Sequence, residues 1–246
     1  MAIKRIEVLG VPVDILQPEE LEMTILELLA RPGTKQIIFL SIWDLMKARH
    51  KGEFQDCVRN ADLVLPVSKS IISGANFLKK NVPVRYNPFT TVINVMSILD
   101  NHYKSLYMLG AHKQTLMMAE QNVKDTFPNL KIVGRFNGYY NKLMEPNIIQ
   151  SIYKTSPALV LLSDGIKDKN CWPYKRRNQF ASSIFMYYKD ALGIFSKRIK
   201  RVSEETFDKG HEIYHEVIRN PLKIFLILPY LKYILSLVWY RIFNND

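Results

Sequence analysis

Cysteine is almost absent from this 246-residue chain: Cys57 and Cys171 are the only two, far apart and at no metal-ligand spacing. That excludes a disulfide scaffold and a thiolate zinc module, and leaves two reduced thiols as the expectation. The N-terminal stretch MAIKRIEVLG lacks the apolar run of a secretory leader, so an intracellular location is expected. Low-complexity and repeated segments are missing too, and 48% hydrophobic with 23% charged residues is the composition of a folded chain. Acidic residues are the other shortage, 23 against 34 Lys and Arg, for a net charge of +11. Such a surplus favours polyanionic partners: nucleic acid, an anionic membrane face or phosphorylated substrates. No RNA-binding aromatic motif, zinc-finger spacing or recognition helix accompanies it, so nucleic acid is not expected.

What is present centres on residues 106–140, LYMLGAHKQTLMMAEQNVKDTFPNLKIVGRFNGYY. An apolar run stops at Gly110. Leu116, Ala119, Val123 and Phe127 then recur at helical spacing until Pro128, with Glu120, Lys124 and Asp125 left to solvent. A second β-rich run, 130–133, is closed by Gly134. Two strands joined through a helix lie parallel in one sheet, so this is a βαβ unit. The turn after its first strand is where open α/β sheets bind phosphates, at a helix N-terminus. Gly110 serves there either as part of a ligand turn or simply as the residue that permits a tight one.

The same residues carry a resemblance. LYMLGA followed by FPNLKIVGRFNGYY resembles the WecG/TagA/CpsF family of bacterial glycosyltransferases, collinearly over about residues 3–223. The resemblance implies a Rossmann-like α/β fold, a mostly parallel sheet with flanking helices. It also implies transfer of an N-acetylhexosamine-type sugar from a UDP-sugar to a polyprenyl-diphosphate-linked acceptor, for surface polysaccharide. No cofactor and no bound metal are implied. The length suits one α/β domain with an appendage, and the expected division is 1–203 and 204–246, with homo-oligomerisation left open.

Taken in order, residues 3–15 alternate around Gly10 and Pro12 as two short strands at a sheet edge, and 18–30 has the leucine spacing of a helix. A strand follows at 36–41, then helical stretches to Arg49 and from Glu53 to Asn60. Where the family ends this strand in a Thr/Asn turn, only Ser41 is polar, as a substrate contact or as a helix cap. ADLVLP, 61–66, matches the next family strand, which runs into an aspartate suited to take an acceptor proton. Here the chain continues Val67-Ser68-Lys69; the carboxylate is missing, and Ser68 is the polar residue left to contact substrate. Asp62 reads as a turn or cap residue.

Arg85 in VRYNPFTT matches a family arginine and suits a diphosphate through its planar fork, the alternative being a surface arginine. Thr90 stands where an acid is expected. Tyr139 lies in the FNGYY turn. After a buried-type strand at 158–162 come Ser163, Asp164 and Gly165; Asp164 is the substitute proton acceptor, or a helix cap. Lys169 and Asn170 replace a Gln-Glu pair before Trp172. Residues 182–188 form the last strand, and Gly193 occupies the place of a further acid. Lys197, Arg198, Lys200 and Arg201 make a basic cluster, with Arg201 matching a family arginine, suited to diphosphates or lipid headgroups, the alternative being a solvated basic loop.

His211-Glu212-Ile213-Tyr214-His215 is a literal HExxH, but no third ligand follows it, and it reads as chance rather than zinc. Residues 224–243, IFLILPYLKYILSLVWYRIF, are nearly all apolar. Lys232 and Pro229 make a bilayer span costly, so a helix lying in the membrane surface is expected, on the cytoplasmic face. Spanning and burial against the protein's own core are the alternatives. Two functions remain open: a membrane-associated glycosyltransferase using Ser41, Ser68, Arg85, Gly110, Tyr139, Gly165, Lys169 and Arg201 for substrate and Asp164 for catalysis, or a relative that kept the fold and lost the chemistry. The second is motivated by Val67, Thr90, Asn170 and Gly193.

Overall fold

Six short, mostly β-branched or leucine-rich runs pair side by side in the computed structural model, which describes residues 3–210 and 227–243. Ahead of them, β1 (Lys4–Val8) and β2 (Val11–Ile15) form an antiparallel hairpin, and α1 (Leu21–Ala30) follows. The chain then runs β3 (Gly33–Leu40), α2 (Ile42–Ala48), α3 (Glu53–Arg59), β4 (Leu63–Pro66), α4 (Lys69–Phe77), α5 (Pro88–Asn101), β5 (Ser105–Leu109), α6 (Lys113–Thr126) and β6 (Lys131–Phe136). It continues with α7 (Glu145–Thr155), β7 (Leu159–Leu162), α8 (Cys171–Lys175), β8 (Ser182–Tyr187), α9 (Ala191–Phe195), α10 (Glu204–Lys209) and a C-terminal helix (Ile227–Phe243).

Strands β3 to β8 make one sheet in the order β4-β3-β8-β7-β5-β6, every pair parallel. The expected α/β class and the βαβ unit are both present. Parallel strands need helices on both faces, and β4 and β7 are accordingly buried at every position. Alternation divides the core. Ile37, Phe39, Leu63, Leu106, Leu159 and Ile184 face α1, α5 and α6 on one side. On the other, Ile38, Leu40 and Val64 meet α2, α3 and α4, while Tyr107, Val160 and Phe185 meet α7.

Three expectations are corrected. The hairpin is not an edge of the main sheet but a two-stranded sheet of its own. It lies against β4 because the buried Asp14 carboxylate accepts Arg5 Nε at 2.6 Å and Arg5 Nη2 at 2.8 Å, and caps the Val64 N–H at 2.6 Å. A side chain satisfies the sheet-edge donor where a strand would otherwise do so. Glu120 is buried rather than wet, because it pairs with Lys124 at 2.9 Å and with Arg135 across from β6. Gly134 lies inside β6 instead of closing it: the ring of Tyr107 packs where a Cβ would stand.

The C-terminal helix lays Tyr233 and Leu237 into the core formed by Ile71 and Ala75. The Tyr233 hydroxyl donates to the Ser70 carbonyl at 2.7 Å, and Arg49 Nη1 donates to Ser236 Oγ at 2.6 Å. Its other side is bare, with Leu235 70% and Trp239 66% exposed. Burial against the protein's own core is therefore realised on one side of the helix, and the other side is apolar and exposed. Among the described residues no helix is long and apolar enough to cross a membrane. The HExxH motif lies outside the described residues.

Candidate functional site

At the C-terminal ends of β5, β6 and β7 three loops are knotted together by backbone hydrogen bonds. Ala111 N–H donates to the Asp164 carbonyl at 2.6 Å, Gly138 N–H to the Ala111 carbonyl at 2.8 Å, and Tyr139 N–H to the Gly165 carbonyl at 3.0 Å. The close approach demands Gly110. Its φ is +143°, and a Cβ there would stand 2.9 Å from the backbone and side chain of Ser163. The tight-turn alternative for this glycine is thus satisfied, and the same contact holds the turn after β5 against the loop after β7. Ala111 and Tyr139 carry φ of +57° and +55°, a conformation that costs L-residues about 1–3 kcal/mol and that the interlocked loops enforce.

The knot presents an aromatic surface. Tyr139, half-exposed, stacks on His112 with centroids 4.3 Å apart and planes 7° from parallel. Its hydroxyl donates to Asp164 Oδ2, which raises the phenol above its usual range. Asp164 caps no helix, since α8 begins at Cys171; its carboxylate is committed to Tyr139. Gly110, Tyr139, Asp164 and Gly165, nominated separately, therefore form one unit.

Beyond β8 along the same edge, the ends of β3 and β4 are tied together. Ser41 caps α2, accepting the Asp44 N–H at 3.1 Å while its hydroxyl donates to Asp44 Oδ2 at 2.7 Å. Ser68 Oγ accepts the Ile42 N–H at 3.0 Å, and Val67 N–H donates to the Leu40 carbonyl at 3.0 Å. Burial raises the Asp44 carboxyl above its ordinary value, against the hydrogen bonds from Ser41 and the charges of Lys169 and Lys47. Lys169, exposed and at φ +47°, thus faces this corner from the loop after β7. Beside it, the buried side-chain oxygen of Asn170 has no partner among the described residues.

The remaining cations form a third group. Arg85 donates to the Val67 carbonyl at 2.8 Å and to the Phe207 carbonyl, and stacks on the Phe207 ring 3.7 Å from its centroid. Arg201 reaches Thr90 Oγ1 at 2.9 Å and Glu204 at 2.8 Å. Gly193 is buried inside α9 against Ile199, with no space for an acid. Among the described residues no cluster of three metal-ligating side chains occurs.

Sequence reasoning missed Asp44 and His112. The spacing Ser41-x-x-Asp44 is a capping-box pattern that would have located the first. Nothing local marks His112, whose partner lies in another loop.

The model of the glycosyl transferase WecG/TagA/CpsF family matches residues 6–246. Two relatives carry the same name, N-acetylglucosaminyldiphosphoundecaprenol N-acetyl-beta-D-mannosaminyltransferase. The protein of Bacillus spizizenii is 21% identical over 193 residues, covering 78% of this chain and 74% of its own. That of Bacillus subtilis is 18% identical over 186 residues, covering 76% and 72%.

Proposed function

Because the chain belongs to the WecG/TagA/CpsF family of glycosyltransferases, we propose that it moves an N-acetylhexosamine-type sugar from a UDP-sugar to a polyprenyl-diphosphate-linked acceptor for surface polysaccharide. The observation that carries the reading is the sheet's C-terminal edge, where the His112–Tyr139 stack lies on the interlocked loops. Open α/β sheets bind nucleotides at that edge, and a flat aromatic surface suits a base. The relatives' names supply a lipid diphosphate acceptor, and the net charge of +11 fits two anionic substrates.

In this reading the acceptor oxygen attacks the anomeric carbon, the bond to the nucleoside diphosphate breaks, and a carboxylate takes the hydroxyl proton. Arg85, Lys169 and Arg201 meet the charge on the leaving diphosphate. Ser41, Ser68, Gly110 and Gly165 shape the donor side. Carboxylates near the reacting edge include Asp164, nominated from the sequence, Asp44 and Asp190, whose charges all reach the Tyr187 phenol at the end of β8. Residues 1–203 form the catalytic body and 204–246 the appendage, whose exposed Leu235, Trp239 and Ile242 hold the protein to the cytoplasmic face of the membrane.

Calorimetry with UDP and UDP-N-acetylhexosamines on the full chain in detergent, followed by turnover of a lipid-linked acceptor, tests the reading. Binding with turnover supports it. Binding without turnover favours the second reading, a binding or scaffolding relative, which Val67, Thr90, Asn170 and Gly193 motivate. Absence of binding overturns the transferase.

A further inference from the structure

Asp164 and Asp44 differ in how they are held. Asp164 gives Oδ2 to a phenol, and its backbone oxygen and nitrogen are fixed by Ala111 and Lys189. Asp44 is half-buried in the first turn of α2, where Ser41 occupies Oδ2 alone, and Oδ1 has no partner among the described residues. The Ile42–Ser68 and Leu40–Val67 hydrogen bonds clamp this turn to the end of β4, so Asp44 lies in the corner between β3 and β4.

We propose that Asp44 is the catalytic carboxylate that takes the acceptor's proton, and that Asp164 is a positioning residue acting through Tyr139. The assignment rests on the transferase reading. In the step, the acceptor O–H bond breaks and its proton passes to Asp44 Oδ1. The freed electron pair forms the bond to the anomeric carbon, and the bond to the diphosphate breaks with its electrons leaving on the nucleoside diphosphate.

The surroundings suit that role. A carboxyl raised by burial is a better proton acceptor than an ordinary aspartate, while the Ser41 hydrogen bonds and the charges of Lys169 in the loop after β7 and Lys47 on its own helix favour its ionised form. The third group facing it is the Tyr187 phenol at the end of β8, which burial and then the charges of Asp164, Asp190 and Asp44 keep protonated. The strand order puts Tyr187 between the two carboxylates. Asp44 thereby acts from the α2 corner while Asp164 steadies the aromatic stack.

Asp44→Asn is the decisive variant, because its amide oxygen still accepts from Ser41 and preserves the cap while losing the capacity to take a proton. With the full chain in detergent, a UDP-sugar and a synthetic polyprenyl-diphosphate sugar, kcat is expected to fall by about a hundredfold or more. The donor Kd and the melting temperature stay at wild-type values, and the acid limb of the kcat/KM profile disappears. Asp164→Asn is expected to weaken donor binding and keep that limb. If wild type turns over and Asp44→Asn retains its rate and its acid limb, the assignment is overturned while the transferase reading survives. If wild type does not turn over, the reading and the assignment fall together.

Discussion

Replacing Asp14 by alanine tests how the N-terminal hairpin is fastened to the sheet. Asp14 is 2% exposed and receives three N–H donors, two from Arg5 and one from the backbone of Val64. Removing it strands a buried amide, which costs about 1–3 kcal/mol. It also breaks an ion pair; a fully buried pair is worth about 3–5 kcal/mol against loss of one partner, and the Arg5 side chain is 35% exposed, so the lower half applies. With overlap between the two contributions, a net loss of about 3–4 kcal/mol is expected, or about 6–16 °C in melting temperature for a domain of this size. Asp14→Asn, which keeps the Val64 acceptor, should lose roughly half as much. Circular dichroism melts of the two variants and of Arg5→Ala are the assay. A melting temperature for Asp14→Ala within about 2 °C of wild type would refute the argument and leave apolar packing of Val8, Val11 and Val13 as the fastening.

Other perturbations separate the site from the scaffold. Tyr139→Ala removes a half-exposed ring, so the fold should lose little while UDP affinity falls by about 1–3 kcal/mol, roughly 5- to 150-fold, in calorimetry. Gly74→Ala places a methyl where the Tyr233 phenol sits, and is expected to undock the C-terminal helix, read as faster proteolysis within that helix. Glu145 carries an acid-sensitive share of stability. Burial alone would raise its carboxyl, but hydrogen bonds from Arg176, Trp172 and Tyr140 outweigh burial and hold it below its usual value. A depressed carboxyl stabilises the fold above its unfolded pKa, and that contribution is lost as pH falls through the folded one. Glu145→Gln should therefore melt lower than wild type at pH 7, with the gap closing below about pH 4.

Much of the scaffold was legible because its determinants are local. The apolar run ending at Gly110, the spacing of Leu116, Ala119, Val123 and Phe127, and Pro128 suffice for strand, helix and strand, since periodicity 2 or 3.6 is a property of the segment itself. The strand at β4 was equally plain, whereas the apolar run of the C-terminal helix left open which of its residues would pack on the core. Glu120 and Gly134 were misjudged for one reason. Their environment is set by Arg135 and Tyr107, which arrive from neighbouring strands and leave no trace in the spacing of the segment.

The candidate site divides in the same way. By itself the sequence determined which residue types were on hand: Gly110, Tyr139, Asp164 and Gly165 in turns after strands, basic Arg85, Lys169 and Arg201, and no carboxylate at position 67. Only the tertiary structure decided who meets whom. The order β4-β3-β8-β7-β5-β6 brings the loops after β5, β6 and β7 into one knot, stacks Tyr139 on His112, and sets Asp44 in the corner beside Val67. Strand order follows from how helices cover two faces of a sheet at once, a free energy shared across the whole core, and no stretch of the chain encodes it alone.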